Sequence, residues 1–189
     1  MRMQSQLFTF PNIDAVAFSI GPLDIRWYAL SYITGILLGW LFLRRQIKQG
    51  RSVLSVPQLD SLLNSSIFGI IIGGRLGYVI FYNPSLYLAE PLAILRVWEG
   101  GMSFHGGMIG VIGAILYCAH RFGLKPLALG DEIGVIAPIG LFFGRIANFI
   151  NGELFGRVTS HPFGIIFPRG GPDPRHPSQL YEAVLEGAV

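Results

Sequence analysis

The stretch "IGVIAPIGLFFGRIANFINGELFGR", Ile133 to Arg157, decides how this chain folds. Its first part, Ile133 to Phe143, carries no charge, and the apolar pattern then runs on through Arg145, Asn148 and Asn151. Arg145 and Asn148 stand at i and i+3, with Asn151 near the same stripe, so a helix sets all three on one side. Guanidinium and amide groups are costly in hydrocarbon and need partners there. Outside a membrane the pattern is ordinary; inside one it marks a site.

Composition decides between the two. Of 189 residues, 51% are hydrophobic and only 13% charged, against about 25% charged in soluble domains. Long apolar windows recur, so the class is all-α: a polytopic helical integral membrane protein with a single transmembrane domain over residues 1–189. Spans are expected at about 23–43, 59–82, 102–119 and 127–151, with a fifth beginning about 177 at Pro177. That fifth helix meets the end of the chain after three turns, so the sequence reads as truncated before its last transmembrane helices. The net charge of +3 comes from basic residues at the ends of apolar segments, which is a topology signal and argues against a nucleic-acid partner.

The loops set the orientation. "RRQIKQGR" (Arg44–Arg51) and "HRFGLKP" (His120–Pro126) are short, basic and free of acids, so both are expected on the cytoplasmic side. The outer side then carries the N-terminus, the segment Asn83–Gly101 and everything after Asn151. "AILRVWEGG" (Ala93–Gly101) is expected to form an interfacial helix with Trp98 among the headgroups. "FPRGGPDPRHP" (Phe167–Pro177) is too rich in Pro and Gly to be regular. The first 22 residues lack the shape of a cleavable signal, so the spans themselves are expected to direct insertion.

This topology gathers the uncommon polar groups at one depth. Arg26 and Tyr28 open span one, Arg75 and Tyr78 lie in the outer half of span two, and His105 begins span three. Arg145, Asn148 and Asn151 close span four. Arg26 and Arg75 can equally be snorkelling arginines, and Tyr28 an aromatic-belt residue. Asparagine gains little by snorkelling, so Asn148 and its neighbour Arg145 are the stronger candidates. Glycines flank His105 and leave its ring open to a ligand, and imidazole is suited to carry a proton near neutral pH. Glu153 can pair with Arg157, or orient Arg145 or a substrate hydroxyl, and Gly156 permits an unusual backbone angle or the close approach of a ligand.

No HxxxH or HExxH spacing joins the four histidines, so no metal is expected, nor any cofactor. Cys118 is the single cysteine; it forms no internal disulfide and reads as a small buried hydrophobe. Guanidinium, amide, imidazole and phenol groups facing outward suit an anionic lipid headgroup, with membrane lipid as the partner. A faint echo between "GGRLGYVIFYN" (Gly73–Asn83) and "FGRIANFINGE" (Phe143–Glu153) is as readily chance as duplication.

Three motifs carry a resemblance: "GGMSFHGGMIG" (Gly100–Gly110), "GRIANFINGELFGR" (Gly144–Arg157) and "RHPSQLYEA" (Arg175–Ala183). In this order and spacing, together with "IRWYAL" (Ile25–Leu30), the sequence resembles the prolipoprotein diacylglyceryl transferases of the bacterial inner membrane over essentially its whole length. The resemblance implies transfer of the diacylglyceryl group of phosphatidylglycerol to the lipobox cysteine thiol of preprolipoproteins, with release of glycerol phosphate at the periplasmic face. It carries the family's site onto Tyr28, His105, Arg145, Asn148, Glu153 and Gly156. Arg145 would bind the phosphate, Asn148 and Asn151 the headgroup, and Tyr28 the phosphate or the peptide. His105 would be the base for the thiol and Glu153 the support of Arg145 or Arg157. The family has about seven spans and a further essential arginine toward its C-terminal end, which this chain stops short of. The rival readings are a transporter or channel for an anionic solute, or another phospholipid-dependent transferase. A transporter would place charges deeper or in inverted repeats.

Overall fold

The computed structural model describes residues 8–11, 13–21 and 23–187. Residues 1–7, on which part of the reading of the N-terminus rests, lie outside the described residues. Among these are six α-helices: α1 (Trp27–Lys48), α2 (Val56–Phe81), α3 (Pro84–Ala89), α4 (Phe104–Phe122), α5 (Pro126–Ile150) and α6 (Ser178–Gly187). Of these, α2 and α5 are long and apolar enough to cross a membrane. The chain divides into two compact units, one made of Met1–Phe42 with Gly134–Val189, the other of Leu43–Ile133.

The fold is mostly helical, but an all-α description needs correction. The described residues include four short strands: β1 (Phe8–Thr9), β2 (Val16–Ile20), β3 (Leu23–Arg26) and β4 (Ile165–Ile166). β2 and β3 form an antiparallel hairpin, and β1 pairs in parallel with β4. The first helix therefore begins at Trp27 rather than Leu23. "LDIR" alternates apolar and polar with the strand period, and Gly21, at φ +60°, supplies the left-handed corner before it. Ser19 Oγ donates to Asp24 Oδ1 across the hairpin at 2.7 Å.

The first unit is packed by backbone proximity and aromatic rings. Gly35 of α1 faces Gly140 of α5 so closely that a Cβ there would lie 3.0 Å from the Gly140 Cα. Beyond the end of α5, Phe167 is fully buried. It touches Phe10, Phe149 and Phe155 at centroid separations of 5.4, 6.2 and 5.1 Å. This cluster ties the N-terminal strand, the end of α5 and the irregular segment after it into one body. Gly156 sits where that segment doubles back: its N–H donates to the His176 carbonyl at 2.8 Å, and a Cβ would meet His176 Cβ at 3.0 Å. Here Gly156 closely approaches His176 of the same chain.

The second unit turns on the antiparallel pair α2 and α4. Gly69, Gly73 and Gly77 of α2 meet Gly106 and Gly110 of α4 backbone to backbone, leaving no room for a Cβ at these crossings. Four-residue glycine spacing of this kind is how helices approach closely in lipid. Cys118 is fully buried in α4, as a small hydrophobe would be.

Ala93–Gly101, expected to be one interfacial helix, falls instead across two short 3-10 turns that follow α3, Pro91–Leu95 and Val97–Glu99. Pro91 disfavours helical geometry at Glu90, which adopts φ −129° and ψ 76°. Leu88, Leu92, Leu95 and Trp98 are all exposed. Arg75 holds the segment from inside. Its Nε donates to Ile94 O, Nη1 to Gly100 O and Gly101 O, and Nη2 to Ala93 O and Arg96 O. All five guanidinium N–H groups are thus engaged by main-chain carbonyls, and Tyr87 lies against the guanidinium face at 5.2 Å. The snorkelling reading of Arg75 is therefore replaced: it is buried, and it points inward.

Candidate active site

The end of α5 builds the site, and the sequence explains how. Asn151-Gly152-Glu153 terminates the helix in a Schellman motif. Gly152 takes φ +62°, its N–H donates to Phe149 O at 2.9 Å, and the Glu153 N–H donates to Asn148 O at 3.1 Å. This is the glycine-dependent double bond that satisfies the last helical carbonyls. Its consequence is local and chemical: the Glu153 side chain folds back onto the helix it has just left.

There it meets both asparagines. Asn148 Nδ2 donates to Glu153 Oε1 at 3.0 Å and Asn151 Nδ2 to the same oxygen at 3.2 Å. Asn148 is buried, with 6% of its surface exposed, so these bonds offset a desolvation that would otherwise be costly. The Asn151 Oδ1 is buried and has no hydrogen-bond partner. Glu153 therefore supports the amides, whereas the sequence pointed it toward Arg145 or Arg157.

Beside this cluster lies an open cavity of about 340 Å³, walled by Ala15, Arg26, Tyr28, Asn151 and Glu153. The β2–β3 hairpin positions two of these walls: β3 ends at Arg26, and the Trp27 N–H donates to Ala15 O at 3.1 Å as α1 starts. Tyr28 follows in the first turn, its ring 5.1 Å from that of Tyr32. A neighbouring cavity of about 400 Å³ shares Ala15 and Asn151 and extends to Asp14 and Arg169. Guanidinium, phenol, amide and carboxylate thus surround a space of headgroup dimensions.

Arg145 stands apart from these walls and faces α6. Its Nε lies 2.9 Å from Glu182 Oε2 and its Nη2 3.4 Å from Glu186 Oε2. α6 is held in register at both ends. Gln179 Nε2 donates to Glu153 O at 2.5 Å and Ser178 Oγ to Leu154 O at 2.9 Å. At the far end the Gly187 backbone abuts Phe142, where a Cβ would fall 2.5 Å from Phe142 Cβ.

Of the residues singled out in the sequence, the first unit brings Tyr28, Asn148, Asn151 and Glu153 into one cluster with Arg26. Arg145 lies one helical turn before Asn148 and is engaged by α6. Gly156 serves backbone packing. His105 belongs to the second unit, exposed in the first turn of α4, which Ser103 caps by accepting the Gly106 N–H at 3.2 Å. Sequence reasoning missed Gly152, Gln179, Glu182 and Glu186. An Asn-Gly pair at a helix end is a recognisable stop signal, and Glu182 and Glu186 share a face at i and i+4. What those acids faced was not legible.

Comparison with known proteins agrees with the motifs. The family described as prolipoprotein diacylglyceryl transferase matches residues 15–189. A protein of Rickettsia felis is 53% identical over 182 residues, covering 96% of this chain and 70% of its own length. One of Methylocella silvestris is 52% identical over 188 residues, covering 97% and 69%. One of Rhizobium meliloti is 51% identical over 189 residues, covering 97% and 68%. All three are named phosphatidylglycerol–prolipoprotein diacylglyceryl transferase. With the family model spanning residues 15–189 and these relatives more than half identical over nearly all of it, the chain belongs to the prolipoprotein diacylglyceryl transferase family.

Proposed function

We propose that this protein transfers the diacylglyceryl group of phosphatidylglycerol to the lipobox cysteine thiol of preprolipoproteins, at the periplasmic face of the bacterial inner membrane. The observation that carries the reading is the pair of asparagine amides on Glu153, set beside a cavity that also holds Arg26 and Tyr28. A transporter or channel for an anionic solute could use the same walls, but the relatives bear a transferase's name rather than a transporter's.

The chemistry follows from the substrate. The electrophile is an sp3 glycerol carbon, so no oxyanion hole is needed. The thiolate sulfur attacks this carbon, a C–S bond forms, and the C–O bond to phosphorus breaks. Its electron pair stays on oxygen, and glycerol phosphate departs. A free thiol has a pKa near ~8.5, so a base or a positive field is needed to supply thiolate at neutral pH. His105 is the proposed base and takes the thiol proton. Arg145, with Arg26 as a second cation, neutralises charge gathering on the phosphate. Asn151, on the cavity wall, contacts the headgroup, and Asn148 holds Glu153 and so the cavity wall. Tyr28 donates its phenolic O–H to phosphate.

The test uses membranes carrying the full-length protein, labelled phosphatidylglycerol and a lipobox peptide. Label should reach the peptide only when its cysteine is present, vanish in Arg145→Ala and Asn148→Ala, and persist in Cys118→Ser. Transfer to a peptide lacking cysteine, or none to the intact peptide, overturns the reading.

A further inference from the structure

The Arg145 guanidinium has two usable edges: a side edge of Nε with one Nη, and an end edge of the two Nη groups. Glu182 lies at Nε and Nη2 donates to Glu186, so among the described residues Nη1 carries no carboxylate and leaves the end edge open on that side for an anion. We propose that Glu182 is the positioning residue for Arg145 in diacylglyceryl transfer: it fixes the plane of the guanidinium so that the end edge is presented to the lipid phosphate. The inference rests on the transferase reading above and deepens it by adding a residue from α6.

Three observations support Glu182 over its neighbour. Its carboxylate lies closer, at 2.9 Å against 3.4 Å, and its side chain is the less exposed of the two, 34% against 43%. Glu182 also sits between two anchors of α6, the Gln179 bond to Glu153 and the Gly187 contact with Phe142. Its position along α5 is therefore set by packing rather than by a flexible tail. The Arg145 Nε–H is buried and not aimed at a hydrogen-bond acceptor, so the pairing at that atom acts through charge. The charge holds the guanidinium at that edge without consuming a directed hydrogen bond.

Gln179 gives the arrangement a further consequence. The same helix that carries Glu182 donates to the backbone of Glu153, whose side chain holds Asn148 and Asn151. The arginine and the asparagines are thus registered by one helix, and a headgroup bound by both would meet groups whose spacing α6 fixes.

The experiment uses the full-length protein in vesicles containing phosphatidylglycerol, with a lipobox peptide as acceptor. Glu182→Gln should raise the KM for phosphatidylglycerol roughly tenfold and leave the KM for peptide unchanged. Glu182→Asp should show the same split at smaller size, and Glu186→Gln should change either constant by less than about twofold. Because Glu182 acts through Arg145, the two substitutions must couple: in an Arg145→Lys background, Glu182→Gln should add less than about a twofold change. A lowered yield of folded Glu182→Gln with normal constants, or full multiplicative effects in the double variant, overturns the proposal. Failure of the unmodified protein to use phosphatidylglycerol would instead remove the transferase reading, so the two failures are separable. Should Glu182→Gln not accumulate, the Glu182→Asp split and its coupling to Arg145→Lys decide alone.

Discussion

Asn148 and Glu153 are tied twice: the asparagine's main-chain carbonyl accepts the Glu153 N–H at 3.1 Å, and its side-chain amide donates to Glu153 Oε1 at 3.0 Å. One bond belongs to the helix stop and the other to the site, so the termination of α5 and the geometry of the cluster are a single event. Glu153→Ala leaves two amides short of an acceptor and should destabilise by about 2–4 kcal/mol. Glu153→Gln can still accept from both through its amide oxygen and should lose only about 1 kcal/mol, with charge assistance gone. Thermal unfolding in detergent distinguishes the two; equal losses would show that the carboxylate makes no use of the asparagines.

Gly152 makes that second tie possible, because only a left-handed residue returns Glu153 to the helix. Gly152→Ala should cost about 1–2 kcal/mol from the positive φ alone and should lower transfer in parallel, since it reorients Glu153. Gly152→Asn should be milder, because asparagine tolerates the αL region. A stability ranking with Ala at or above Asn would contradict the cap.

Arg75 offers a contrast: a membrane arginine whose partners are all backbone. Lysine has three donors where arginine has five, so Arg75→Lys strands at least two of the five carbonyls it now engages. At about 1–3 kcal/mol for each unsatisfied group, the loss is on the order of 2–6 kcal/mol. Limited proteolysis of membranes should then cut between Asn83 and Gly101 faster in Arg75→Lys than in the unmodified protein, while cleavage elsewhere changes little. Unchanged cleavage there would show that the segment holds its shape without the guanidinium.

How far the sequence could be read depends on the kind of signal. Long apolar periodicity located α1, α2, α4 and α5 within a few residues, because a 20-residue pattern averages over local exceptions. Strand β3 falls within the expected span one, since "LDIR" is short and abuts an apolar window. Arg145, Asn148 and Asn151 stood out because polar groups in an apolar stripe carry a penalty that must be offset. The direction each faces was not legible. Asn148 turns to Glu153 and Arg145 to α6, two residues within one turn that share a stripe yet serve different partners. The two readings of Arg75 are inseparable in the sequence for the same reason: its depth is readable, but its carbonyl partners come from residues 18 to 26 positions away, and nothing local announces them.

His105 provides the last prediction, because its proposed work as a base has a pH signature. A free thiol ionises near pH ~8.5 without help, so a missing base matters most below that value. His105→Gln should lower the transfer rate at pH 7 by a factor on the order of 10². Raising the pH supplies thiolate directly, so the variant should gain on the unmodified protein as pH climbs toward about 9, and the gap should narrow to less than tenfold. Measuring the rate against pH for both proteins, with the same labelled lipid and peptide, checks this. A gap of constant size across that range would mean that His105 binds substrate without taking the proton. In that case the field of Arg145 and Arg26 would have to lower the thiol's pKa by itself.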